Sequence, residues 1–299
     1  MSRIHDAIKK AEQDRVEAVR SGLLAEDRPA AVGVREAPPP AEGPRPPFNP
    51  AQPTFADLLG HCRPVSWKLD SRIAGVFSAP NHVAGSEELR TLRSRLYQIR
   101  DRQPLRTILI TSALPAEGKT FLTAGLAHTI VRQHERRALI IDADLRHSQM
   151  HQLLGTNPTP GLTEYLTGSA DLLTVLQRGA QDNLFFIPGG KAASNHAELL
   201  GNGRLKQLLD HVEGIFDWVL VDSPPAIPVA DASLMAAYCD GVLMVVQAAS
   251  TPFDMAQKVR DEFHDKGLLG AILNRVDPGE TYHSYYSDYA DRGKTPRQK

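Results

Sequence analysis

Cysteine is nearly absent: Cys62 and Cys239 are the only two in 299 residues. Two isolated thiols build neither a disulfide framework nor a zinc site, and their plain reading is idle or buried side chains in a reducing cytoplasm. Long apolar runs are lacking too. No stretch approaches the roughly 20 apolar residues that cross a bilayer, and the opening Met1-Ser-Arg-Ile-His-Asp6 has no apolar run of the kind a secretory leader carries. Neither charge sign dominates, with 34 Lys and Arg against 35 Asp and Glu and a formal net charge of −1. That balance argues against bulk nucleic-acid binding, which leaves a basic excess. Aromatic residues make up only 6% of the chain, yet four of its seven tyrosines, Tyr282, Tyr285, Tyr286 and Tyr289, fall in one eight-residue stretch.

Composition changes along the chain and sets expected boundaries. Residues 1–27 read as a short amphipathic helix, with Ile4, Ala7, Ile8 and Ala11 at helical spacing. Such a helix is too short to be stable alone, so it either docks on a partner or frays. Residues 28–54 are a proline-rich, disordered linker that includes Pro38, Pro39 and Pro40, a tether reaching roughly 75 Å when fully extended. Residues 55–85 are a transition segment. Residues 86–276 form the globular domain, large enough at roughly 200 residues for one sizeable core. It is expected to open with a helix from Ser86 to about Arg100, capped by Ser86 and with Glu87 and Glu88 in its first turn. Residues 277–299 are a polar, tyrosine-rich tail.

Within the domain, apolar strand-like runs occur at Thr107–Thr111, Ala138–Ile141, Leu184–Ile187, Trp218–Val221, Val242–Val246 and Leu269–Leu273. Helical patterns separate most of them, among them Thr120–His134, Ala197–His211 and Phe253–Lys266. Strands this apolar are buried on both faces, which predicts an α/β fold: a mostly parallel sheet with helices on both sides.

The first strand runs into Ala113-Leu-Pro-Ala-Glu-Gly-Lys-Thr120 and then a helix. This fits the pattern G-x-x-x-x-G-K-[ST] with Ala113 in place of the first glycine, in the strand–loop–helix setting that a phosphate-binding loop requires. Backbone N–H groups from Ala116 to Thr120 can face phosphates at the positive end of the helix dipole. Gly118 permits close approach, Lys119 sets a cation against the β- and γ-phosphates, and the Thr120 hydroxyl can ligate magnesium. Asp142, Asp144 and Asp222 stand at the ends of two other strands. Parallel strands present their C-terminal ends on one edge, so these carboxylates are expected to converge on the Lys119 loop. The fold class read from these signals is therefore that of the P-loop NTPases, with ATP and Mg2+ as ligands.

Ile140-Ile-Asp-Ala-Asp-Leu-Arg146 and Val221-Asp-Ser-Pro-Pro225, taken with that loop, resemble the bacterial tyrosine autokinases of capsule and exopolysaccharide systems. Further similar stretches are Gly161–Gly168, Ala197–Leu200, Pro228–Asp231 and Leu273–Asp277, so the resemblance covers about residues 80 to 299. Departures are Ser148 after Arg146-His147, Phe121 after Thr120, and the lack of a proline pair in Pro188–His196. The resemblance implies an ATP:protein-tyrosine phosphotransferase that uses Lys119, Asp142 and Asp144 in catalysis, with Asp142 accepting the tyrosine proton. It implies ATP contacts at Pro115, Ala116, Glu117, Gly118, Lys119, Thr120, Phe121, Asn274 and Arg275, and magnesium held by Thr120, Asp144 and Asp222. Tyr282, Tyr285, Tyr286 and Tyr289 become the autophosphorylation substrate, on a tail able to reach roughly 45 Å. Glu87, Arg90 and Arg93 match the motif by which subunits of the family build a ring. The implied partners are further copies of the chain, a membrane chain-length regulator that activates it, and a cognate phosphatase, with no nucleic acid. The implied location is the cytoplasmic face of the plasma membrane, held there through a partner. Two alternatives stay open. Partitioning or division-site ATPases carry a signature lysine where this chain has Leu114, and a nucleotide-gated adaptor would bind ATP and phosphorylate nothing.

Overall fold

The computed structural model describes residues 54–62, 64–78, 85–133, 136–179 and 181–277. The predicted N-terminal helix, nearly all of the proline-rich linker and the four tail tyrosines lie outside the described residues. Seven strands form one sheet: β1 (Thr107–Ser112), β2 (Ala138–Asp142), β3 (Gln177–Arg178), β4 (Leu184–Ile187), β5 (Trp218–Asp222), β6 (Gly241–Gln247) and β7 (Leu268–Asn274). Their order is β3-β4-β2-β5-β1-β6-β7, parallel throughout except for the short β3. The strands feed helices α1 (Phe55–His61), α2 (Ser71–Ser78), α3 (Ser86–Arg100), α4 (Lys119–Val131), α5 (Met150–Leu154), α6 (Leu162–Thr167), α7 (Leu172–Val175), α8 (His196–Gly201), α9 (Arg204–Glu213), α10 (Asp231–Ala236) and α11 (Phe253–Phe263).

Alternation along each strand divides the core in two, because successive side chains point to opposite faces. Leu109, Ile141, Phe185 and Val221 pack on one face with Leu58 of α1, Leu208 of α9 and Phe263 of α11. Ile108, Ile140, Phe186 and Leu220 pack on the other with Ile73 of α2, Leu96 of α3 and Leu126 of α4. Each such side chain contributes about 1.5–3 kcal/mol by leaving water. Residues 55–85, read from sequence as a mere transition, thus supply two core helices. Thr54 and Asp57 form a reciprocal cap that starts α1, and Leu58 is fully buried.

Three local expectations are corrected. Ser86 does not cap α3; the cap position falls to Gly85 at φ 89°, which makes no side-chain cap bond, and Ser86 is buried as the first helical residue. Ala197–His211 is not one helix. Gly203 adopts φ 81°, and the Asn202 carboxamide ties off both sides of the break, donating to Leu166 O (3.0 Å) and accepting from Arg204 N (2.9 Å). Finally, β7 is an edge strand and is not buried on both faces: Leu273 is 59% exposed. Both cysteines are free thiols, and burial pushes the Cys62 thiol up to about 11, far from a reactive thiolate. Among the described residues no helix is long and apolar enough to cross a membrane.

Helix α4 is buried on nearly every side and carries His128, 1% exposed and stacked on Phe77 at 3.9 Å. Burial first, and then the Arg132 charge, push its pKa from 6.5 down to about 4. The unfolded chain therefore takes up a proton near pH 6.5 that the folded chain refuses until about pH 4. Stability should fall through that window as pH drops, by about 3 kcal/mol from this residue. Denaturant unfolding of wild type and His128→Phe at pH 7 and pH 4.5 checks it. The difference between the two proteins should shift toward the variant at low pH, and parallel losses would refute the assignment.

Candidate active site

Strand β1 lies near the middle of the sheet and ends at Ser112, so residues 113–118 turn at the C-terminal edge before α4 begins at Lys119. Ala116 (φ 64°) and Gly118 (φ 97°) are both left-handed. Gly118 is required twice over, because a Cβ there would also sit 2.1 Å from Asn274 Nδ2. The Glu117 side chain does not face the cleft. It is 2% exposed and turned inward, where its carboxylate accepts from Leu114 N (2.8 Å), Gln247 N (3.4 Å) and the Thr251 hydroxyl. Asn274 Nδ2 donates to Glu117 O at 2.8 Å. The ends of β6 and β7 are thereby tied to the loop, and only the backbone of Glu117 is left for a ligand.

The acidic strand ends meet this loop. Lys119 Nζ lies 3.2 Å from Asp144 Oδ2. Asp142 and Asp222 face each other in the β2–β5 register. Asp142 is fully buried and closes its own loop, Oδ2 accepting from Ser148 Oγ (2.7 Å) and Met150 N (3.1 Å) and Oδ1 from Asp144 N (3.3 Å). Burial, and next the Asp222 charge, raise its pKa above the usual carboxylate range. Asp222 is raised too, chiefly by burial, while the Lys119 ammonium and the Thr120 and Thr123 hydroxyls work the other way. Arg146 grips Asp231 with two bonds, Nε to Oδ2 at 2.7 Å and Nη2 to Oδ1 at 3.1 Å, tying the loop after β2 to the start of α10.

A cleft of about 430 Å³ opens over the loop, and Ala116, Gly118, Lys119, Thr120, Phe121, Asn274 and Arg275 all line it. Its remaining wall comes from Arg72, Gln149, Gln152 and Leu153, which no local motif marks. Asp222 Oδ1 is buried and has no hydrogen-bond partner among the described residues. An orphaned carboxylate oxygen beside the Thr120 hydroxyl and Asp144 fits the oxygen donors magnesium prefers. Among the described residues no cluster of three or more His, Cys, Asp or Glu forms a closed metal cage. Of the residues expected to join subunits, Glu87 and Arg90 pair with each other, and Arg93 Nη1 donates to Thr129 O of α4 at 2.7 Å.

Known proteins resemble this chain. The AAA domain family matches residues 105–258. Tyrosine-protein kinase CpsD of Streptococcus agalactiae is 33% identical over 195 residues, 64% of this chain and 83% of that protein. Tyrosine-protein kinase ptk of Acinetobacter johnsonii is also 33% identical, but this chain spans only 26% of its length. The kinase domain of Escherichia coli tyrosine kinase ETK superposes with a TM-score of 0.64 at 29% identity, over 70% of this chain and 83% of that one. The chimerical protein CapA2B2 gives 0.65 at 26% identity, over 75% and 99%. With a P-loop, three carboxylates at the ends of two strands and a kinase relative matched over 83% of its length, the chain belongs to the bacterial tyrosine-protein kinase family.

Proposed function

We propose that the chain transfers the γ-phosphoryl group of ATP to tyrosines of its own tail, Tyr282, Tyr285, Tyr286 and Tyr289. The observation that carries this reading is the meeting of Lys119, Asp144, Asp142 and Asp222 beside a cleft lined by Lys119, Arg72 and Arg275. In the reaction the tyrosine oxygen bonds to the γ-phosphorus, the bond from that phosphorus to the β-phosphate oxygen breaks, and the phenolic proton leaves. Free tyrosine, with a pKa of about 10, is mostly protonated at neutral pH, so a base must take that proton. Asp142 takes it; a raised pKa suits a proton acceptor near neutrality. Lys119 and the N–H groups from Ala116 to Thr120 hold the phosphates and balance the charge on the transferred group. Asn274, Arg275 and Phe121 flank the nucleotide base. Thr120, Asp144 and Asp222 would hold magnesium, which would supply charge neutralisation at the β- and γ-phosphates.

In the cell the reaction regulates capsule or exopolysaccharide synthesis and export. The chain works as a ring of copies joined through Glu87, Arg90 and Arg93. A membrane chain-length regulator recruits it to the inner face of the plasma membrane, and a phosphatase resets it. The test is peptide mapping of phosphotyrosine after incubation with Mg-ATP and the activating partner. Phosphate should appear on residues 278–299 of wild type and vanish when the four tail tyrosines are changed to phenylalanine. Undiminished phosphotyrosine in that variant would defeat the tail as acceptor.

A further inference from the structure

Arg72, part of the cleft lining, belongs to a segment that precedes the matched AAA domain, which begins at residue 105. Residues 64–78 lie across the domain like a strap. Val65 N donates to Arg178 O (2.8 Å), Lys68 N to Gly155 O (3.2 Å) and Asp70 N to Leu153 O (3.0 Å), while Ile73 and Val76 of α2 are buried. The approach to α5 is so close that a Cβ on Gly155 would fall 1.8 Å from Lys68 O. Arg72 is therefore carried on a firmly docked element, yet its own side chain is 72% exposed and lines the cleft. Among the described residues its guanidinium is engaged locally, with Nε and Nη2 on the two oxygens of Asp70 at 2.8 and 3.1 Å.

Charge and position indicate what this arginine is for. The residues lining the cleft include Arg72, Lys119 and Arg275 and, among the described residues, no carboxylate. Strand β7 lies on one side of β1, and β2, which leads into α5, lies on the other. Asn274 and Arg275 thus flank the Lys119 loop from one side, and Arg72 stands with α5 on the opposite side. If the base lies at Asn274, the chain of phosphates runs toward Arg72. We infer that Arg72 binds the terminal phosphate of a nucleoside triphosphate, exchanging Asp70 for it. A carboxylate and a phosphate offer the same pair of acceptors to a planar guanidinium fork, so the exchange preserves both bonds. This assignment rests on the reading of the Lys119 loop as a nucleotide site.

The test compares dissociation constants for Mg-ADP and for a magnesium complex of a non-hydrolysable ATP analogue. Arg72→Gln should weaken the triphosphate analogue about tenfold or more, the worth of a hydrogen bond to a charged group. ADP affinity should stay within about twofold and the melting temperature should hold, since an exposed ion pair contributes little. Arg72→Lys should fall between, keeping charge and losing the fork. Equal weakening of both nucleotides, or no weakening of either, overturns the assignment while leaving the nucleotide site intact. A wild-type chain that binds neither nucleotide overturns both.

Discussion

Lys119→Ala should reduce tyrosine phosphorylation by about a thousandfold or more, the scale of loss when a fixed charge aimed at a transferring phosphoryl group is removed. The side chain is 12% exposed and pairs with Asp144 at 3.2 Å, so its ammonium is held where it is needed before any ligand arrives. Removal does a second thing. Asp144, Asp142 and Asp222 are all nearly or fully buried, and without the lysine they face one another uncompensated. Breaking a buried pair costs about 3–5 kcal/mol, so the variant should also melt at a lower temperature. Phosphotyrosine yield and circular-dichroism melting, measured below the variant's own transition, separate the two effects. A folded Lys119→Ala protein retaining a tenth of wild-type rate would contradict the role given to the lysine.

Asp142→Asn should be nearly as damaging, lowering the rate by about 10²–10⁴, the usual contribution of a positioned base. Asparagine keeps one acceptor of the two. With its oxygen toward Ser148 and Met150, its amide nitrogen confronts the Asp144 N–H, which bonds Oδ1 in the wild type. The wild-type rate should rise with pH as Asp142 loses its proton, and the variant's profile should lack that limb. Ser148→Ala supplies the comparison: it removes one bond to the carboxylate and should lower the rate far less. If Asp142→Asn and Ser148→Ala slow the reaction equally, with the limb intact in both, Asp142 holds the loop and takes no proton.

The phosphate loop was legible because its chemistry is written in consecutive residues, Ala113 to Thr120, bounded by an apolar strand and a helix. The three carboxylates were legible because a parallel sheet leaves only one edge for strand ends. Arg72 was not. Its place in the cleft depends on backbone bonds to Gly155 and Leu153, some 80 residues away, and no local spacing reports such a strap. The direction of the Glu117 side chain was not legible either, since its inward turn depends on Gln247 at the end of β6 and on Thr251 beyond it. The break at Asn202-Gly203 was hidden by an apolar pattern continuing on both sides of it. The exposure of β7 followed from strand order, which composition does not encode.

In the proposed reaction tyrosine, not water, receives the phosphate. The direct measurement is the fate of label from γ-labelled ATP, partitioned between protein tyrosine and free phosphate in the presence of magnesium and the activating partner. Label should appear on peptides from residues 278–299 and depend on Lys119. Free phosphate released in a Lys119-dependent manner, with no label on any tyrosine, would make the chain an ATPase and contradict the account.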